Sequence, residues 1–436
     1  MSSDSTPVSS SPTTGNPPGS GDSPSRSRFF YGWIMVILTA LILVITSGTR
    51  SAPGALLVDM ERDTGWSTAQ LSLAAAIGLV AYGFGGPVSG LLVRRIGMRN
   101  LALLSVTTTT VSLFLSSRIQ NLWSLTIWFG LISGVAAGLV ASFLGAAVAN
   151  GWFVDRRGLV TGVFGASQSA GQLVFIPFFT ATAAAVGWRQ ALVWGAAVSA
   201  IVLPLTFLFF RNGPADVGQA PLGGKREPLT PPDRDIVRRA FRRPEFWLLA
   251  ATFLVCGGTS NGLVGQHFIA HASDHGFDEV TAANWLAVMG VFNFIGTVAS
   301  GWLTDRYDPR RLLMIYYGFR GVSLMILPFI HDTLSIAAFA VLFGLDYIAT
   351  VPPTIMLGAK LFGRHNAGVI YAWVFGAHQV GAAVAAWGAG LVRDSTGSYG
   401  WAFSSAGTVA IAAGFAALLI QEKPKRHAES LAGSDR

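Results

Sequence analysis

Charge is scarce in this chain, and so is cysteine. Only 12% of the 436 residues are charged, against about 25% in an ordinary soluble domain. That is too little polar surface for a soluble multi-domain enzyme. A single cysteine, Cys256, leaves no partner for a disulfide within the chain and argues against a metal–thiolate site. No Gly-x-x-x-x-Gly-Lys loop or His-Glu-x-x-His pair occurs, so ATP-driven transport and zinc-dependent hydrolysis have no carrier residues. The one Gly-x-Ser-x-Gly string, Gly258 to Gly262, lies inside an apolar run rather than at a strand-to-helix turn. Neither an enzyme nor a cofactor is expected. His267, His271 and His275 recur every four residues, a spacing that suits a metal, but no carboxylate cluster accompanies them. The expectation is an interfacial helix end with no metal. Residues 1–28 are rich in Ser, Pro, Gly and Thr and carry no basic stretch followed by an apolar one. A disordered tail is expected there, with no secretory signal.

What is abundant is apolar sequence. Hydrophobic residues make up 51% of the chain and its mean hydropathy is +0.51. A membrane-spanning helix needs roughly 20 apolar residues. Suitable runs occur at 31–57, 68–93, 100–117, 121–150, 158–184 and 188–210, then at 246–270, 281–303, 311–330, 334–360, 366–391 and 399–420. The expected fold class is therefore an all-α membrane protein of twelve spanning helices in two six-helix bundles. The expected divisions are a tail at 1–28, a first bundle at 29–210, a linker at 211–245, a second bundle at 246–421 and a tail at 422–436. The linker holds Pro214, Pro221, Pro228, Pro231 and Pro232, then Arg238, Arg239, Arg242 and Arg243, and 233–243 reads as a short amphipathic surface helix.

A net charge of +8 and a pI near 10 would suit nucleic acid were the cations not grouped between apolar runs. Of 30 Lys and Arg residues, Arg62, Arg118, Arg189 and Arg393 fall on one side of the span pattern and Arg50 and Arg320 within spans, leaving the rest on the linker side. The positive-inside rule then places both termini and the linker in the cytoplasm, with the chain in the cell (inner or plasma) membrane and its lipid bilayer as partner. No nucleic-acid partner is expected, and a monomer is the expected state.

The two halves repeat each other at one offset. Gly90 to Arg95 and Arg99 recur as Gly301 to Arg306 and Arg310, Phe164–Gln168 as Phe375–Gln379, and Gly65-Trp66 as Gly276-Phe277, each 211 residues apart. Six spans per half put both copies in the same orientation, with a pathway between them.

These motifs resemble the major facilitator superfamily over about 30–420. Gly301-x-x-x-Asp305-Arg306-x-x-x-Arg310 is similar to the superfamily's loop between helices 8 and 9, and the resemblance implies a gating role in which the carboxylate caps and pairs across neighbouring helix ends. The first copy departs from it, with Arg94 where an acid or amide usually stands. Tyr31-Gly32-Trp33, Tyr82-Gly83, Gly86-Pro87, Phe153-Val-Asp-Arg156-Arg157 and Gly187-Trp188-Arg189 look most like the monocarboxylate-porter and oxalate–formate branch. Helix 8 departs from the porters, since uncharged Asn293 and Thr297 stand where they carry an acid and a base.

Charges inside spans are costly, about 2.5–3.5 kcal/mol each on insertion scales, so those present call for a role. Arg50 sits among small residues before Pro53-Gly54. Its planar fork suits a carboxylate, and the resemblance implies a substrate contact for a basic residue on helix 1. The other reading is an arginine reaching the outer interface near Asp59, Glu61 and Asp63. Arg320 and Asp346 are expected to form a structural ion pair, with Asp346 alternatively a proton carrier. His378 either meets an anion or a proton, or packs neutral between helices. Gln168, Gln379, Asn261 and Asn293 are further candidates for substrate hydrogen bonds, and Tyr82, Trp373 or Phe375 for the pocket wall. Packing is the alternative for each. Gly130, Gly134 and Gly138 form a stripe for close helix approach, and Pro352-Pro353 should bend the tenth helix.

The function expected is secondary active transport of a small organic acid, a monocarboxylate, by alternating access coupled to protons or a counter-anion. The alternatives are an exporter of an amphipathic metabolite or drug and a non-transporting sensor or scaffold.

Overall fold

Lipid offers backbone N–H and C=O groups no hydrogen bonds, so a chain this apolar satisfies them within helices. The computed structural model describes residues 29–141, 143–224 and 233–421, helical nearly throughout. The expected tails at 1–28 and 422–436 lie outside the described residues, as do Pro228, Pro231 and Pro232 of the linker. The first six spanning helices are α1 (Gly32–Arg50), α2 and α3 (the two parts of Thr68–Ser116), α4 (Leu122–Trp152), α5 (Arg157–Val186) and α6 (Trp188–Phe209). The second six are α7 (Pro244–Asp274), α8 (Glu279–Thr304), α9 (Pro309–Phe329), α10 (Thr333–Phe362), α11 (Arg364–Thr396) and α12 (Gly400–Leu418).

Polar loop residues set where the helices start. Ser67 and Gln70 cap α2 reciprocally, Asn121 accepts from Ser124 N to open α4, and Asp278, Asp308 and Asp332 open α8, α9 and α10. Each satisfies first-turn N–H groups that have no helical partner. Between α2 and α3 the chain turns at Gly97, whose φ of 78° favours glycine. The first span ends earlier than the expected 57. At Arg50 the helix gives way to two short helices, Ala52–Ala55 and Leu57–Thr64, beside Pro53 and Gly54. The surface helix expected at 233–243 is shorter, Ile236–Phe241.

Two packing devices bear on the site. α4 lies against α2 along its glycine stripe, where a Cβ on Gly134 would overlap the Gly78 carbonyl and one on Gly138 the backbone of Tyr82 and Gly85. α10 is interrupted between Asp346 and Val351. Pro352 and Pro353 lack the N–H groups that would bond the carbonyls of Ile348 and Ala349. Ser300 Oγ of α8 donates to the Ala349 carbonyl at 2.5 Å instead, and Arg320 Nη2 donates to those of Asp346 and Tyr347 at 2.6 and 3.0 Å.

Candidate functional site

The two six-helix halves meet along α2 and α11, where Gly83 lies against the Gln379 side chain. Between them lies a cavity of about 570 Å³. It runs from Arg50 towards Asn150, Thr161 and Ile355, near the linker end. At the opposite end Arg62 Nη2 donates to Glu279 Oε1 at 3.0 Å and Ala69 N to Asp394 Oδ2 at 3.0 Å. Both contacts join one half to the other, so the halves are closed at that end.

Arg50 ends α1, and its guanidinium lies 4.9 Å from the centre of the Tyr82 ring. Its Nε is buried with no hydrogen-bond partner, and no ion pair to it occurs among the described residues. The acids that follow it in sequence are engaged elsewhere. Asp59 lies near Arg62, Glu61 accepts from Thr68, and Asp63 accepts from the Trp188 indole at 2.9 Å and from Arg189. Those two donors hold the Asp63 carboxyl below its ordinary range. Arg50 is thus the one residue bearing a fixed charge along the described cavity wall.

The remaining candidates gather around it. Asn261 sits in a widened turn of α7, Gly258–Val264, a local helix irregularity of the kind often found at functional sites. Asn293 of α8 lines the same cavity and accepts from Thr297 Oγ1 at 3.2 Å. Gln168 Nε2 donates to the Ala141 carbonyl at 3.2 Å. Gln379 Nε2 donates to His378 Nδ1 at 3.3 Å while its Oε1 is buried without a donor. The His378 ring stacks on Phe375 at 5.5 Å and meets Phe253 at 4.6 Å. These residues form mates across the duplication: Arg50 with Asn261, Tyr82 with Asn293, and Gln168 with Gln379, each pair separated by the same 211 residues. All six line the cavity.

A model of the Major Facilitator Superfamily matches residues 39–386. The chain belongs to that superfamily. It is 27% identical over 385 residues to monocarboxylate transporter 13 of Rattus norvegicus, covering 88% of this chain and 87% of the relative. It is 21% identical over 384 residues to the uncharacterized MFS-type transporter YcxA of Bacillus subtilis, covering 84% and 90%. Among solved structures, a D-xylose-proton symporter superposes with a TM-score of 0.70 at 14% identity, covering 90% of this chain and 98% of that one; at that identity the likeness establishes the fold. The chain is therefore a multi-pass membrane transporter of the major facilitator fold, not an enzyme.

Arg320 and Asp346 lie away from the cavity, in the core of the second half. Arg320 Nε donates to Asp346 Oδ2 at 2.7 Å, with both side chains buried. Arg320 Nη1 also reaches Cys256 Sγ at 3.1 Å and Thr259 Oγ1 at 3.3 Å. Asp346 Oδ1 has no donor and Asp346 does not line the cavity.

Three sequence expectations need correction. Trp373 does not line the cavity: it is exposed and meets Phe241 edge-on at 5.3 Å, whereas Tyr82 and Phe375 do face inward. In the loop after α8, the superfamily's signature assigns the pairing to Asp305. Here Asp305 is exposed, with no side-chain partner among the described residues, and Arg306 lies over the Trp302 ring at 4.0 Å. Asp308 instead makes a local pair, taking Arg310 Nη2 at 2.7 Å while it caps α9, and Arg310 Nη1 reaches the Ile420 carbonyl at 3.2 Å. Those contacts hold the Asp308 carboxyl below its ordinary range. The third correction concerns His267 and His271, which are buried among helices rather than at an open interface; His275 is half-buried at the helix end and stacks on His331 at 4.9 Å. His267 contacts the Tyr399 hydroxyl and the Ala386 carbonyl at 3.2 and 2.8 Å, and His271 the Leu327 carbonyl at 3.4 Å.

Sequence reasoning missed Gln172, Gln266 and Tyr347, which complete the wall around Arg50. Gln172 was findable, being one helical turn beyond Gln168 on the same face. Tyr347 was not, because it enters the cavity from the interruption in α10.

Proposed function

We propose that this transporter carries a small organic anion, a monocarboxylate, by alternating access. The observation that carries the reading is the Arg50 guanidinium, charged and unpaired on the cavity wall with Nε lacking any acceptor. A buried donor without a partner costs about 1–3 kcal/mol, more when charged. A carboxylate accepting two parallel N–H bonds removes that cost. The amides of Gln168, Gln172, Asn261 and Asn293 supply neutral hydrogen bonds for the rest of the solute, and the Tyr82 and Phe375 rings its apolar wall. The monocarboxylate transporter named among the relatives agrees with this class. Energy would come from protons or a counter-anion, with the cavity-lining His378 as the proton-carrying candidate; Asp346 is held by Arg320 away from the cavity. Closing the linker end would break the Arg62–Glu279 and Ala69–Asp394 contacts at the other. The chain would sit in the cell membrane with both termini and the linker cytoplasmic. Arg306, Asp308 and Arg310 after Gly301 would work at that face as part of the gate.

The test is uptake of radiolabelled carboxylates, from acetate-sized to aromatic, into liposomes bearing the purified protein. At least one acid should accumulate with the wild type, fall to background with Arg50→Ala and return in part with Arg50→Lys, which keeps charge but not the fork. Uptake indifferent to Arg50→Ala would overturn the assignment, as would accumulation of neutral solutes alone.

A further inference from the structure

We propose that the first half binds an anionic phospholipid, with its phosphate on Arg94 and Arg95 and an acyl chain in a groove shared by both halves. The groove, about 510 Å³, is open on the lipid-facing side and lined wholly by apolar residues. Its floor is α2 from Leu73 to Val88; its walls are Leu131 and Val135 of α4 and Val384 and Trp387 of α11. That stretch of α2 is about 22 Å long, most of a hydrocarbon layer about 30 Å thick. It is deep enough to take a whole acyl chain from the leaflet on the linker side.

The headgroup end follows from helix phase. Phe84, Val88, Leu91 and Arg95 fall at successive turns of one face of α2, and all four are exposed. The stripe leaves the groove at Val88, continues over Leu91 and ends on Arg95, with exposed Arg94 beside it. Neither arginine has a side-chain ion pair or hydrogen bond among the described residues. Two adjacent unpaired cations at the mouth of an apolar groove complement one phosphate diester above one acyl chain. The second half lacks this arrangement. At the same offset Asp305 replaces Arg94, and Arg306 is occupied by the Trp302 ring and the Trp302 carbonyl. The charges there cancel.

Native mass spectrometry of the full chain, released from detergent after titration with phosphatidylglycerol or phosphatidylcholine of the same acyl composition, tests this without any transport assay. The wild type should keep one phosphatidylglycerol under activation that strips phosphatidylcholine. Arg94→Gln with Arg95→Gln should cut that retention roughly tenfold or more, as loss of two interfacial cations does. Arg238→Gln with Arg242→Gln, an equal charge loss elsewhere on the linker side, should leave it unchanged. Val135→Trp, which fills the groove from the lipid side, should also lower retention while both arginines remain. Equal retention of the two lipids by the wild type overturns the proposal. So does undiminished phosphatidylglycerol binding in the Arg94/Arg95 variant once its melting temperature shows it folded, or displacement of the lipid by millimolar inorganic phosphate.

Discussion

The first half of the transporter has a charged cavity wall and a neutral core; the second has the reverse. Arg50 faces the cavity from α1, and its mate on α7 is the neutral Asn261. Arg320 and Asp346 are buried inside the second half, and their mates in the first are Thr109 and Val135. The helices flanking the pathway differ in the same way. α4 is held to α2 by backbone approach at Gly130, Gly134 and Gly138, whose mates Val341, Leu345 and Ala349 include no glycine; α10 approaches α8 at other positions, through Gly344 against Met289 and Gly296 against the Leu345 carbonyl. α10 is interrupted at Pro352-Pro353 and tied by Arg320 and Ser300. Duplication therefore preserved the frame and the cavity-facing positions, while the glycine contacts took different positions in each half and the second half alone carries a buried ion pair among the described residues. Glycine-mediated contact is insensitive to charge and gives a continuous helix. A buried ion pair tolerates an interruption, because the guanidinium can serve several stranded carbonyls at once.

Breaking the ion pair should have the largest effect. Arg320→Ala leaves Asp346 buried and uncompensated and should cost about 3–5 kcal/mol, read as lost thermal stability in detergent. Arg320→Met combined with Asp346→Leu should recover most of that loss. A double variant as unstable as the single one would show that the pair's charge is not what matters.

Next comes the cavity charge. Arg50→Asn should reduce carboxylate uptake by at least about thirtyfold, the low end of the roughly 2–5 kcal/mol lost when one partner of a buried charged hydrogen bond is removed, with little change in melting temperature. Adding Asn261→Arg puts the charge on the mate across the duplication. Partial recovery of uptake would show that the two halves present equivalent sites to the solute, and none would show that the Tyr82 side is required.

Gly134→Val should destabilise by about 1–3 kcal/mol through overpacking. Leu345→Val, at the same place in the second half, should cost less, about 1 kcal/mol for the lost methylene. Equal losses in melting temperature would erase the difference drawn between α4 and α10. The smallest effect is expected for Ser300→Ala, about 1 kcal/mol for one hydrogen bond. It should appear as faster hydrogen exchange near Ala349 even where the melting temperature hardly moves.

Much of the frame could be read in one dimension. Apolar runs mark the spans, and the single offset marks the duplication. Arg50, Gln168 and Gln379 stood out because polar groups in apolar runs are expensive. Other readings failed for geometric reasons. Trp373 lies only two residues before Phe375, yet at 100° per residue that turns its side chain to the other side of α11. Asp305 and Asp308 are both aspartates in the same loop, and Arg310 is met by Asp308, which stands where α9 needs a cap.

The sequence alone determined a twelve-span, internally duplicated chain, because hydrocarbon forces every backbone polar group into a helix and the apolar pattern records each crossing. Tertiary structure decided which buried charge is paired and which faces the cavity. Arg50 and Arg320 look alike as intramembrane arginines, and only the rotation of their helices and the nearness of Asp346 distinguish them. That information lies in how helices distant in sequence approach one another, and no local pattern encodes it.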